Sequence, residues 1–75
     1  MPRLKCTFRD FIEILESARF EVARMEASHR RYVGIVGKET RNVTVAFHNI
    51  NHEIRPDTLA SMIRQSGLPK RLFRK

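Results

Sequence analysis

Tyr32-Val33-Gly34-Ile35-Val36, then Gly37-Lys38-Glu39-Thr40, then Val43-Thr44-Val45-Ala46-Phe47 is the stretch on which the fold turns. Its two ends are dense in β-branched and aromatic residues, and a glycine opens the segment between them. It therefore reads as strand, loop and strand of a β-hairpin. In the later strand Val43, Val45 and Phe47 share one face, which leaves Thr44, Ala46 and His48 on the other. The earlier strand admits two registers. If Val33 and Ile35 point inward, His29 and Arg31 lie on the core side; if Tyr32 and Val36 do, Arg30 lies there. A bulge at Gly34 would reconcile the two.

Outward from the hairpin, Phe20-Glu21-Val22-Ala23-Arg24 alternates weakly and reads as a short strand, joined to the next by Met25-Glu26-Ala27-Ser28. Ahead of it Phe8, Phe11, Ile12 and Leu15 recur at helical spacing, with Ala18 near the same stripe and Arg9, Asp10, Glu13, Glu16 and Ser17 opposite. This predicts a helix over residues 8–18, with Thr7 as N-cap and Asp10 completing an approximate capping box. After the hairpin, Pro56 and Asp57 suit a first helical turn, and Leu59, Met62 and Ile63 form its apolar stripe. Gly67 stops it. Residues 69–75 add a short helical turn or form a basic tail. No linker or repeat interrupts the chain, which reads as one domain over 1–75. The order α-β-β-β-α predicts an α+β fold, a three-stranded antiparallel sheet with both helices packed on one face.

Seventy-five residues with 41% apolar content can bury one modest core, so the elements must share it. Cys6 is the only cysteine, which excludes an intramolecular disulfide and suits a reducing compartment. The first residues lack the apolar run of a secretion signal, and no uncharged stretch approaches membrane-spanning length. A cytoplasmic, membrane-free protein is expected. The net charge of +7 is concentrated in residues 27–75, which carry ten basic and three acidic side chains. Such a surface attracts polyanions, although charge alone is equally consistent with a merely soluble basic face.

Several chemistries lack their residues. His29, His48, His52 and Cys6 follow no metal-ligand spacing, and Glu39, Glu53 and Asp57 sit in separate segments. The three glycines are scattered, so no phosphate-cradling loop is present, and Cys6 has no histidine near it in sequence. Metal-free acid–base work by histidine remains. RNA carries its own nucleophile, the 2′-hydroxyl, and imidazole is suited to taking that proton near neutral pH. His29 lies beside Arg30 and Arg31, which with Arg41 can hold a phosphate, while Ser28 can orient the ring or the substrate. A histidine at a strand start is more often structural than catalytic, so the residues alone leave His29 either role. His48 beside Asn49 is as well suited to anchoring a turn, and His52 lies in a polar loop without an assigned part.

Taken together, Phe20, Ser28-His29-Arg30, Tyr32, Thr44-Val45, His48, Arg55-Pro56, Thr58-Leu59, Ile63-Arg64-Gln65 and Gly67-Leu68 resemble the HicA toxin family in order and spacing over most of the chain. The resemblance implies a fold like that of double-stranded-RNA-binding domains and an endoribonuclease that cleaves mRNA without a cofactor. It implies restraint by a HicB-like antitoxin. Residue by residue, the family's catalytic histidine falls on His29 and a second recurring histidine on His48. Ser28, Arg30, Arg31, Lys38 and Arg41 are then the expected RNA-binding residues. The chain departs from the family pattern at Arg19, Ala27 and Asp57, where glycines are usual, and at Ala46, where proline is. If position 27 requires a positive φ, alanine there costs on the order of 1 kcal/mol and bears on the angle of His29; Arg19 at a helix C-terminus faces the same penalty. These departures keep open an inactive RNA- or DNA-binding module, or an antitoxin-binding one. A sheet edge, the acidic face of the first helix and Leu72-Phe73 are its candidate contact surfaces.

Overall fold

The computed structural model describes residues 5–73. Its elements are α1 (Phe8–Ser17), β1 (Glu21–Glu26), β2 (His29–Val36), β3 (Glu39–Ala46), α2 (Pro56–Ser66) and a 3₁₀ turn (Lys70–Phe73). The strands form one antiparallel sheet in the order β1-β2-β3, with the helices on one face, as the sequence order requires.

The helix ends follow from their capping residues. Thr7 and Asp10 form the expected capping box: the Asp10 N–H donates to Thr7 Oγ1 at 3.1 Å, and the Thr7 N–H donates to Asp10 Oδ2 at 3.3 Å. The exit is a Schellman turn. The Phe20 N–H donates to the Leu15 carbonyl at 2.9 Å and the Arg19 N–H to that of Glu16 at 3.0 Å, while Arg19 takes the left-handed conformation with φ 68°. Glycine normally fills that position because it lacks the Cβ that makes positive φ costly. α2 begins at Pro56 and stops at Gly67, whose φ is 70°.

Both hairpin connections are shorter than the residue types suggest. β1 and β2 are joined by Ala27-Ser28 alone, and β2 and β3 by Gly37-Lys38 alone, so all three strands extend toward each other. In each turn the first central residue has positive φ, 45° at Ala27 and 65° at Gly37, and the second does not. This is the type II′ pattern, whose twist matches that of the flanking strands. Charged and polar residues such as Arg24, Glu26, Glu39 and Asn42 join the ladder because backbone pairing, not side-chain propensity, carries a short hairpin to its turn.

The β2 register is settled in favour of Tyr32. β2 and β3 pair without interruption from His29↔Ala46 to Val36↔Glu39, with Tyr32 and Gly34 buried beneath the helices. Gly34 therefore makes no bulge. A Cβ there would lie 2.6 Å from the Phe20 ring, so the missing side chain is the space Phe20 fills. The bulge lies in β1 instead, between Val22 and Arg24, where Ala23 is the extra residue. It returns Val22 to the helix-facing side opposite Tyr32 while Arg24 stays on the open side.

The core joins Phe11, Ile12 and Leu15 of α1, Phe20, Tyr32 of β2, Val43 and Val45 of β3, and Leu59, Met62 and Ile63 of α2. Phe73 completes it. Its ring stacks on Phe11 at 5.0 Å and is fully buried, so Phe73 is core rather than the contact surface expected of Leu72-Phe73, and only Leu72 of the pair is exposed. Phe8 and Phe47 pack against this core while staying partly exposed. The segment between β3 and α2 is tied to the start of α1. The Phe8 N–H donates to His52 carbonyl oxygen, Arg9 N–H to that of Ile50 and Ile54 N–H to that of Cys6, at 2.8–3.1 Å. Among the described residues, no helix is long and apolar enough to cross a membrane.

Candidate RNA-cleavage site

The helices cover one face of the sheet and leave the other to solvent, and alternation along β2 divides the basic residues between them. His29, Arg31, Val33 and Ile35 occupy the open face, where Ile35 is 70% exposed. Register then builds two adjacent rows. Glu26, His29 and Ala46 lie side by side, and next to them Arg24, Arg31 and Thr44. Directly paired residues bring their Cβ atoms to about 5 Å. Arg24, Glu26, His29, Arg30, Arg31 and Thr44 line a shallow depression of about 200 Å³.

The electrostatics of this depression suit an anion. Arg24 and Arg31 are directly opposed across β1 and β2, an arrangement of like charges that is unfavourable by itself. Glu26 neutralises part of it, with its Oε1 2.5 Å from Arg24 Nη2. Both partners of that ion pair are largely exposed, so it adds little stability. A phosphate placed between the two guanidinium groups would relieve their repulsion and accept hydrogen bonds from both. Ala46 opposite His29 is small and leaves the imidazole approachable from the β3 side.

The expected residues separate into three places. His29 and Arg31 come together, while Ser28, in the β1–β2 turn, lies outside the lining of the depression and accepts the Phe47 N–H at 2.9 Å through its carbonyl. That bond extends the β2–β3 pairing one step past β3 and holds His48, which is exposed, at the same end of the sheet as His29. Arg30, although it borders the depression, carries its guanidinium to the opposite face. Its guanidinium carbon lies 5.1 Å from the centre of the Phe47 ring, which in turn packs at 5.5 Å on Phe8. Lys38 and Arg41 lie toward the far end, with Lys38 in the β2–β3 turn, roughly 25 Å along the strand from His29. Arg41 pairs with Glu39 at 3.3 Å and packs against the C-terminal end of α2, where a Cβ on Gly67 would meet its Nε at 2.7 Å. A guanidinium there is favoured by the helix dipole. Among the described residues its Nε is the only buried side-chain nitrogen or oxygen without a hydrogen-bond partner.

Arg24 joins the site without having been expected. The signal for it was the turn: once Ala27-Ser28 is a two-residue loop, strand pairing places 24 opposite 31. β1 runs on to Glu26, two residues past the strand end expected from the side-chain pattern, and this extension creates the pairing. No group of three or more His, Cys, Asp or Glu side chains among the described residues is arranged to hold a metal.

Ala27 does adopt a positive φ, so the turn keeps the left-handed geometry of a glycine, and His29 starts β2 in regular pairing with both neighbours. No curated protein and no solved structure matches the chain significantly. The family model for the HicA toxin of bacterial toxin–antitoxin systems matches residues 8–68, from the first residue of α1 to the residue after its second helix's glycine stop, and the chain belongs to that family.

Proposed function

We propose that the chain is a metal-independent endoribonuclease that cleaves mRNA at the open sheet face, with His29 as the acid–base group and Arg31 and Arg24 holding the scissile phosphate. The observation that carries this reading is that register pairing sets His29 beside two opposed arginines on the uncovered face. His29 takes the proton of the 2′-hydroxyl as that oxygen attacks phosphorus. The bond from phosphorus to the 5′-oxygen breaks, the leaving oxygen takes up a proton, and the products are a 2′,3′-cyclic phosphate and a 5′-hydroxyl end. The guanidinium groups offset charge that accumulates on the non-bridging oxygens. Family membership supports a HicB-like antitoxin as the partner that neutralises the toxin.

The test is cleavage of single-stranded RNA in the presence of a chelator, with the product ends identified. His29→Ala should lower the rate about 10²–10⁴-fold. Because His29 is exposed, the substitution should leave thermal stability within about 0.5 kcal/mol of the parent. RNA whose 2′-hydroxyls are replaced by hydrogen should not be cut. Undiminished cleavage by His29→Ala, or cutting of the deoxy substrate, would sink the mechanism.

A further inference from the structure

A second depression, of about 360 Å³, adjoins the first and has no part in the chemistry described above. Thr44 and Ala46 of β3 form one wall, and Asp57, Thr58, Ser61, Gln65 and the apolar Met62 of α2 form the other. Thr44 belongs to both depressions, and Thr44 and Ala46 are the direct cross-strand partners of Arg31 and His29. The β3 wall of the groove therefore lies one strand spacing, about 4.8 Å, from β2, with the proposed phosphate position beyond it between β2 and β1.

Its lining differs in kind from that of the first depression. Residues of an antiparallel pair alternate in the direction of their backbone groups. Since the Phe47 N–H bonds to Ser28, the N–H and C=O groups of Ala46 and Thr44 face away from β2, along the free edge of the sheet. The helix wall adds two hydroxyls, a carboxamide and a carboxylate. The Gln65 amide nitrogen donates to Ser61 Oγ at 3.5 Å, which leaves the amide oxygen to accept. Among the described residues Asp57 makes a long, exposed contact with Arg55, at 3.8 Å. A carboxylate repels phosphate, so the groove does not extend the basic track. Donors and acceptors of mixed kind suit the edge of a nucleobase, and the volume is at the lower end of that for small-ligand pockets.

The geometry points to this groove as the subsite for the base next to the scissile phosphate, with Asp57 and Gln65 selecting a base that carries an exocyclic amino group over uracil. Asp57 accepts from the amino group, as carboxylates do from the N4 amine of cytosine, and the Gln65 amide can complement a mixed donor–acceptor edge. This assignment rests on the nuclease reading for what lies beside the groove, but it is separable from it by experiment.

Trinucleotides with 2′-O-methyl groups cannot supply the nucleophile, so they bind to the intact protein without being cut. Backbone amide shifts are followed as each is titrated, varying one flanking base through the four nucleobases and an abasic site. The expected result is movement of the Thr58, Ser61 and Gln65 resonances on the helix wall, with affinity about tenfold lower for uracil or the abasic site at one flanking position. Asp57→Asn combined with Gln65→Leu, both exposed, should remove that discrimination and should even out the base preference of cleavage sites in a mixed RNA. Shifts confined to the β1–β2 rows, or unchanged preference in the double variant, would overturn the base subsite while leaving cleavage at His29 intact. Groove shifts without cleavage by the parent would overturn the nuclease reading and retain the base site. No shifts with any trinucleotide would overturn both.

Discussion

Replacing Ala27 with glycine should stabilise this protein, although it removes a side chain and adds backbone freedom. Ala27 is exposed and holds φ at 45° as the first residue of a two-residue turn. For a residue with a Cβ, the left-handed region costs about 1–2 kcal/mol. Glycine avoids that cost but loses more conformational entropy on folding, which returns about 0.4–1 kcal/mol. Taking the middle of each range, the balance is a gain of about 0.5–1 kcal/mol. In a domain of this size such a gain raises the melting temperature by about 2–8 °C. Reversible thermal unfolding of Ala27→Gly beside the parent measures it, with Ala27→Val as the opposite control, since a β-branched residue tolerates positive φ less well. The two should bracket the parent. Because the turn geometry is already that of a glycine, Ala27→Gly should leave RNA cleavage within a few-fold of the parent. A melting temperature that falls, or that fails to move, would show that the left-handed turn at Ala27 carries no strain. A large change in cleavage would show that the angle of His29 is not yet set by the turn as it stands.

Arg31→Ala should lower cleavage about 10²-fold or more, whereas Arg30→Ala, on the other face over Phe47, should mainly lower stability by about 0.5–1 kcal/mol; equal kinetic effects would contradict the division of the two residues between faces. Gly34→Ala should destabilise by about 1–3 kcal/mol, because its Cβ enters the space of the Phe20 ring, and denaturant unfolding reads this directly. Phe73→Ala should cost about 3–5 kcal/mol through loss of its stacked contact with Phe11, so a change within error would show that the 3₁₀ turn is not part of the core.

The elements were legible where side-chain pattern and capping chemistry agree. The stripe Phe8, Phe11, Ile12, Leu15 with Thr7 and Asp10 at its head defines α1, and Pro56, Leu59, Met62, Ile63 and Gly67 define α2, in sequence and structure alike. Val43 and Val45 likewise declare the inward face of β3. β2 was ambiguous because its open face is apolar as well: Val33 and Ile35 look like core residues, yet no helix covers them. The covered face carries Gly34, whose contribution is the room it leaves for Phe20 and which no hydrophobic pattern can register.

For the site, the sequence by itself determined the chemical types: a histidine beside arginines in a basic second half, with no grouping suited to metal, cysteine or glycine-loop chemistry. Only the tertiary structure decided which of them meet. Neighbours in sequence, Arg30 and Arg31, part to opposite faces because successive strand residues alternate. Residues seven apart, Arg24 and Arg31, come together because a two-residue turn folds the strand back on its partner. Lys38 and Arg41 are basic too, but the length of β2 carries Lys38 away from His29, and Arg41 sits opposite Gly34, five residues along the strand. Hydrophobic period and charge are local quantities, whereas pairing register is a long-range one that depends on turn length and on which face the helices bury.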